Sequence, residues 1–308
     1  MITKIKTADH AEWLQLRAQY IGGSDAAAVI GLNPYKSPYA LWAEKTGQVA
    51  PFSGNITTRV GTYLERFVAV MYSEETGNRV RNDTRTYINS DYPWACANVD
   101  RLIIGRKTGL EIKTTNDRNK IKQMRDGVIP YDWQCQMTHY MAVTGLWRWE
   151  LAALCGSREL FILPMNRDEG DIAALMNAEQ AFWEQVRSRE PPGVDGTAST
   201  AAALEMMYPD SEADSQISLE PVALYLSELL RLKSEKKGLE ERIRTAENVI
   251  KEYMGDIEYG VCNNMSVSWK TVPRITYDTK ALCRDHPDIM KQYQKVSASR
   301  RFTAKKEI

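Results

Sequence analysis

Residues 95–115, ACANVDRLIIGRKTGLEIKTT, limit the fold sharply. Two β-rich runs flank GRKTG, whose glycines and charges suit a turn, so the segment reads as a hairpin. It interrupts a chain that is helical in period on both sides. Upstream, EWLQLRAQY reads as a helix, and Gly22-Gly23 breaks it. Ser24-Asp25 can cap DAAAVIG, which Gly31 and Pro34 end. Further helices are expected over 37–45 and 59–75, the second with Val60, Leu64, Phe67, Val68 and Met71 on one face. Downstream come a helix over 132–143, strands in WRWELAAL and LFILPM, and a helix over 169–189. Helices on either side of a few strands predict an α/β (α+β) unit over 1–190, a mixed central sheet flanked by helices.

The stretch PPGVDGTAST marks a boundary, with a linker expected over 191–218. Residues 219–308 then form a C-terminal extension: a long helix over about 220–254, a strand in SVSWKTV, a helix in RDHPDIMKQY and a basic tail. In the long helix Tyr225, Leu229, Leu232, Leu239, Ile243, Ala246, Ile250 and Tyr253 follow an alternating four–three spacing that Lys236 interrupts. This is either a coiled-coil seam of about four heptads or one arm of a helical hairpin.

Forty basic residues balance forty acidic ones, so the whole chain shows no electrostatic footprint for nucleic acid. The charge is segregated, however. The last eighteen residues hold Lys291, Lys295, Arg300, Arg301, Lys305 and Lys306 against Glu307, and residues 113–125 are also basic. Five scattered cysteines without a CxxC argue against a disulfide framework or a tetracysteine metal site. With no apolar leader and no long apolar run, a cytoplasmic, reducing address and no membrane partner are expected. No GxxxxGK loop supports ATP-driven chemistry, and His10, His139 and His286 show no partner arrangement for histidine catalysis.

The chemistry concentrates in VDRLIIGRKTGLEIK, where Asp100, Glu111 and Lys113 form D-x(10)-E-x-K across the hairpin. Glu111 and Lys113, two apart on a strand, share a face. Asp100 joins them if the register sets it opposite residue 111 or 113. Opposite Lys113 leaves a four-residue loop, 105–108, which suits the turn residues. Two carboxylates with the Ile112 carbonyl could hold a hard cation and leave positions open for water and a phosphate oxygen. The lysine could orient or deprotonate that water and offset charge on the phosphoryl group. Alternating charges on the solvent face of any hairpin would look the same, so the weight falls on three further features. Glu65 lies beside the apolar stripe of its helix, between Gly61 and Ala69. Gln136 and Tyr140 are four apart on one helical face, with Gln134 as a rival. Arg17 could grip a phosphate bidentately, and Ser24 sits at a helix start.

The order LR-x(6)-S, G-x(3)-E, VD-x(10)-E-I-K, then Q-x(3)-Y followed by MAVTG, over about residues 12–190, resembles the phage lambda exonuclease and YqaJ-type viral recombinase group of PD-(D/E)xK nucleases. The resemblance implies a restriction-endonuclease-like core and a Mg²⁺-dependent 5′-to-3′ exonuclease on double-stranded DNA ends. The product would be a 3′ single-stranded overhang for phage-type recombination in a bacterial host cell. It implies two Mg²⁺ ions, replaceable by Mn²⁺, a ring-shaped homo-oligomer (a trimer before a tetramer) and a strand-annealing partner. By the same likeness Asp100, Glu111 and the Ile112 carbonyl would be metal ligands, Glu65 would help hold the second ion, and Lys113 would serve the water. Arg17, Ser24, Gln136 and Tyr140 would bind the 5′-phosphate and DNA, together with Asn98, which stands where the family has serine. Val99 replaces the nominal proline. Two other readings compete: a structure- or site-specific endonuclease on the same core, and a non-catalytic DNA-end-binding protein.

Overall fold

The computed structural model describes residues 1–297 and 299–305, so Lys306 and Glu307 of the basic tail lie outside the described residues. The chain divides into two compact units, 1–208 and 209–308.

The first unit runs β1 (Ile2–Ile5), α1 (His10–Ala18), β2 (Ile21–Gly22), α2 (Gly23–Val29), α3 (Pro38–Lys45), α4 (Ile56–Thr76), β3 (Val80–Arg81), β4 (Thr86–Asn89) and β5 (Ala95–Ala97). It continues with β6 (Arg101–Ile103), β7 (Thr108–Thr115), α5 (Arg118–Arg125), α6 (Tyr131–Thr144), β8 (Arg148–Cys155), β9 (Glu159–Asn166), α7 (Glu169–Ser188) and α8 (Ala198–Met207). A five-stranded sheet, β3-β6-β7-β8-β9, is antiparallel except where β7 pairs parallel with β8. A smaller sheet, β1-β4-β5-β2, is antiparallel except at β2–β5. This is the expected mixed sheet with helical flanks.

The period-two alternation of β7 decides what each face meets. Leu110 and Ile112 pack with Ala152, Leu154 and the α4 residues Val68, Ala69 and Tyr72. Glu111 and Lys113 point the other way, toward α6. There Met137 and Met141 pack with Trp149, Leu151 and Ala153 of β8. Each fully buried large side chain in these layers contributes about 1.5–3 kcal/mol of transfer free energy.

Several expectations are corrected. The buried face of α4 is Val68, Ala69 and Tyr72, whereas Val60 and Phe67 are exposed. Gly61 lies over β7, where a Cβ would meet Thr114 Oγ1 in ordinary contact at 3.5 Å. The hairpin turns over 104–107, with Gly105 at φ +79°, and pairs Arg101 with Leu110. Continuing that register sets Asp100 across from Glu111 rather than Lys113. The first unit also runs past 190. Residues 198–207 within the expected linker form α8, where Thr200 Oγ1 donates to Ser37 Oγ at 2.8 Å and Ala203 is buried against the α3 cluster. Thr197 as N-cap and the alanine run after it were an available helix signal, outweighed in the sequence by the Pro-Gly stretch just before them.

The second unit holds α9 (Ala223–Met254), a hairpin of β10 (Tyr259–Cys262) and β11 (Met265–Ser268), α10 (Thr279–Asp285) and α11 (Pro287–Tyr293). Pro287 splits the expected final helix in two. No helix among the described residues is long and apolar enough to cross a membrane.

Candidate active site

The site is assembled on α1, α2, α4, β7 and α6, with the segment between β5 and β6. The β2–α2 junction is the tightest. Gly22 caps α2, and Asp25 in its first turn accepts from the Gly22 N–H at 3.2 Å. The same Asp25 oxygen is ion-paired with Lys45 at 2.9 Å, both side chains nearly fully buried. Lys45 also donates to the Tyr20 carbonyl at 2.7 Å. Burial works to raise the Asp25 carboxyl, but Lys45 and Arg17 outweigh it and hold the pKa at about 2. Ser24, in the first turn rather than at the cap, takes a hydrogen bond from Arg17 Nη2. The Arg17 guanidinium lies 5.2 Å from the Trp13 ring.

Where α2 crosses α6 there is no room for a side chain: a Cβ on Gly23 would fall 2.4 Å from Tyr140 Cε1. Gly23→Ala is expected to destabilise the first unit by about 1–3 kcal/mol through overpacking. A lowered melting temperature with Tyr140 displaced would show this; an unchanged melt would mean that the helices separate freely.

Facing this junction, Asp100 Oδ2 accepts from the Ile112 N–H at 2.8 Å. Glu111 is buried, with one oxygen 2.7 Å from Lys113 Nζ and the other, Oε2, without a hydrogen-bond partner. Lys113 also donates to Gln136 Oε1 at 2.8 Å, and Gln136 Nε2 donates to the Tyr140 hydroxyl at 2.8 Å. Asn98 Nδ2 donates to Thr86 Oγ1 at 2.8 Å. Gln134 instead donates to the Ile129 carbonyl at 2.6 Å, so the rival glutamine serves the start of its own helix.

All ten residues singled out in the sequence line one cleft of about 480 Å³: Arg17, Ser24, Glu65, Asn98, Asp100, Glu111, Ile112, Lys113, Gln136 and Tyr140. Glu65 is brought to the cleft but turned aside, its Oε1 held by Arg101 Nη1. Among the described residues no three His, Cys, Asp or Glu side chains are grouped to hold a metal ion. Sequence reasoning missed Arg101, the buried Lys45–Asp25 pair, and Trp13, Thr57, Thr58, Thr62 and Thr114 on the cleft wall. Arg101 follows Asp100 directly, and its basic side chain beside the acidic cluster was an available signal. The threonines carried none.

The electrostatics are those of a site short of positive charge. Burial, and then the neighbouring Glu111 carboxylate, push Asp100 well above the usual carboxylate range. Burial likewise raises Glu111 against the pull of Lys113. Burial alone would lower Lys113, but Glu111 and Asp100 more than offset it and the ammonium is held charged. Two adjoining carboxylates, one with a buried oxygen lacking any donor, fit a hard cation taken up with oxygen ligands.

The mixed α/β fold and this D-x(10)-E-x-K cleft are consistent with a PD-(D/E)xK-like core. The comparisons narrow that class. The YqaJ-like viral recombinase domain matches residues 12–147. An uncharacterized YqaJ protein of Bacillus subtilis is 33% identical over 310 residues, covering 99% of this chain and 97% of its own. The chain belongs to the YqaJ-like viral recombinase family. Among solved structures, LHK-Exo in complex with dAMP shares its fold at 23% identity and a TM-score of 0.52, over 58% of this chain and 93% of that one. A second structure of LHK-Exo, described as an alkaline exonuclease from Laribacter hongkongensis, matches over the same shares at a TM-score of 0.49.

Proposed function

We propose that the protein is a Mg²⁺-dependent exonuclease that digests double-stranded DNA 5′ to 3′ from its ends and leaves a 3′ single strand for recombination. The observation that carries this is the single cleft with Arg17 and Ser24 on one wall and Asp100, Glu111 and Lys113 on another. A terminal phosphate is gripped at the first wall while a phosphodiester lies against the second. Asp100 and Glu111, with the Ile112 carbonyl, would hold the metal, and Glu65 a second ion once it leaves Arg101; Mn²⁺ would substitute. Bound there, the metal would supply positive charge to the phosphate oxygen and would lower the pKa of water.

The chain's own groups do the rest. Lys113, beside Glu111 and hydrogen-bonded to Gln136, orients or deprotonates the attacking water and offsets charge on the phosphoryl group. Gln136 fixes the lysine head, and Tyr140 fixes Gln136. Arg17 can exchange Ser24 for two phosphate oxygens, and the Asn98 amide can donate beside them. The recombinase family supports a place in phage-type recombination next to a strand-annealing protein. A ring of three or four copies, working in the cytoplasm of the bacterial host, would keep the enzyme on its DNA.

Linear duplex labelled separately at its 5′ and 3′ ends, with a covalently closed circle as control, tests the reading. Early release of the 5′ label as mononucleotide in Mg²⁺, with the circle intact, is expected. Cutting of the circle would make the protein an endonuclease. Binding of ends without release would make it an end-binding protein.

A further inference from the structure

The second unit poses a question of its own. The 32 residues of α9 extend about 48 Å at 1.5 Å per residue, and only Met254 among them is buried. A helix left in water is expected to be polar all round, or to hide its apolar stripe. Here the stripe, broken only by Lys236, is open: Leu239 is 53% exposed, Ile243 57% and Tyr253 93%. The spacing places Leu229, Lys236, Ile243 and Ile250 at the a positions of a heptad repeat, and Tyr225, Leu232, Leu239, Ala246 and Tyr253 at d. Gly238 falls at c, on the outer side, where it does not interrupt the seam.

We propose that α9 pairs with α9 of a second copy of this chain, and that the two helices run antiparallel. The choice of occupant and of direction follows from the charges beside the seam. In an in-register parallel pair, Lys236 would meet Lys236 of the second copy in the core, and Glu235 would face Glu240 across the rim. Both contacts repel at the middle of the seam; the flanking rim pairs of that arrangement, Glu228 with Lys233 and Arg242 with Glu247, attract but leave the two lysines facing one another in the core. Running antiparallel about a centre between Lys237 and Gly238, Lys236 packs beside Leu239 of the second copy and its ammonium reaches the rim. Glu235 then faces Arg242, and Lys233 faces Glu240, each pair occurring twice by symmetry. The core layers also match in size, Leu229 against Ala246 and Leu232 against Ile243. Glu235 is already ion-paired with Arg231 on its own helix, which keeps its carboxylate at the rim beside the seam.

This pairing is independent of the chemistry in the cleft.

Cross-linking of the full chain tests it, with the exposed Cys262 and Cys283 changed to serine. Chains carrying Leu229→Cys and chains carrying Ala246→Cys are co-expressed with different tags and mildly oxidised. A disulfide-linked dimer containing both tags is expected, with little dimer from either chain alone, because each introduced thiol has its partner only on the other chain. Dimer from Leu229→Cys alone would overturn the antiparallel direction. No cross-link in any arrangement would overturn the pairing. The charge argument has its own control. In the co-expressed pair, Glu235→Arg in both chains should abolish most of the cross-link, and adding Arg242→Glu should restore it. A cross-link indifferent to both changes would show that the rim charges do not choose the direction.

Discussion

Glu111→Gln and Asp100→Asn should each lower the rate of nucleotide release on the order of 10³-fold or more, with the fold intact. Each change keeps the shape of the side chain and removes one negative charge where a cation would be held. The lost rate reflects charge stabilisation that a water-excluded site supplies most effectively. Lys113→Ala should be equally inactive but is a poorer test by itself. It would leave the buried Glu111 carboxylate without its one cation partner, and an uncompensated buried charge costs about 3–5 kcal/mol. Circular dichroism separates the outcomes. A folded Glu111→Gln chain with full activity would remove β7 from the chemistry altogether.

The second large effect is on stability, and its sign is opposite to what loss of a site carboxylate suggests. Asp100 and Glu111 titrate above their ordinary range in the native chain. The native state therefore holds protons that the unfolded chain has released. The stability this contributes is fully present below the unfolded values near pH 4 and is lost as pH rises through the raised native ones. At neutral pH without metal, Asp100→Asn and Glu111→Gln should melt higher than the parent. A gain of about 1 kcal/mol corresponds to about 2–4 °C in a domain of this size. Mg²⁺ should remove the difference by stabilising the parent alone, by about 2.7 kcal/mol at a hundredfold excess over its dissociation constant. Melting curves in chelator and in Mg²⁺ read this without any assay of cleavage. Equal stabilisation of parent and variants by Mg²⁺ would mean that the ion binds elsewhere.

Local signals in the sequence carried the helices and strands of the first unit, because capping residues, glycine stops and period-two runs act over a few residues. Ser37 and Gly77 end helices where such residues should. What failed to show was everything set by distant packing. The apolar stripe on α4 pointed to Val60 and Phe67, but the sheet accepts the small and aromatic side of that helix. The hairpin register turned on a two-residue choice that loop length alone could not decide. In the cleft, the residue types and their order were legible, since D-x(10)-E-x-K spacing reflects strand geometry. That Glu65 lies against Arg101 was not, because the pairing joins positions 36 residues apart. The same holds for His139, whose sequence neighbours show no partner arrangement for catalysis. It is fully buried against Glu179 of α7, forty residues on.

That buried pair has a consequence for the cleft. His139 Nε2 lies 2.9 Å from the Cys96 carbonyl, which can only accept, so this nitrogen carries a hydrogen. One further proton lies between His139 Nδ1 and Glu179 Oε1, 2.8 Å apart. Wherever that proton rests, the two residues together are electrically neutral. The helix presenting Gln136 and Tyr140 is thus pinned to β5, the strand leading to Asn98 and Asp100, by a clasp that adds no net field to the carboxylates in front of it. The scaffold behind the cleft is thus held by hydrogen bonds that cross from helix to strand and from helix to helix, with no unpaired charge among them.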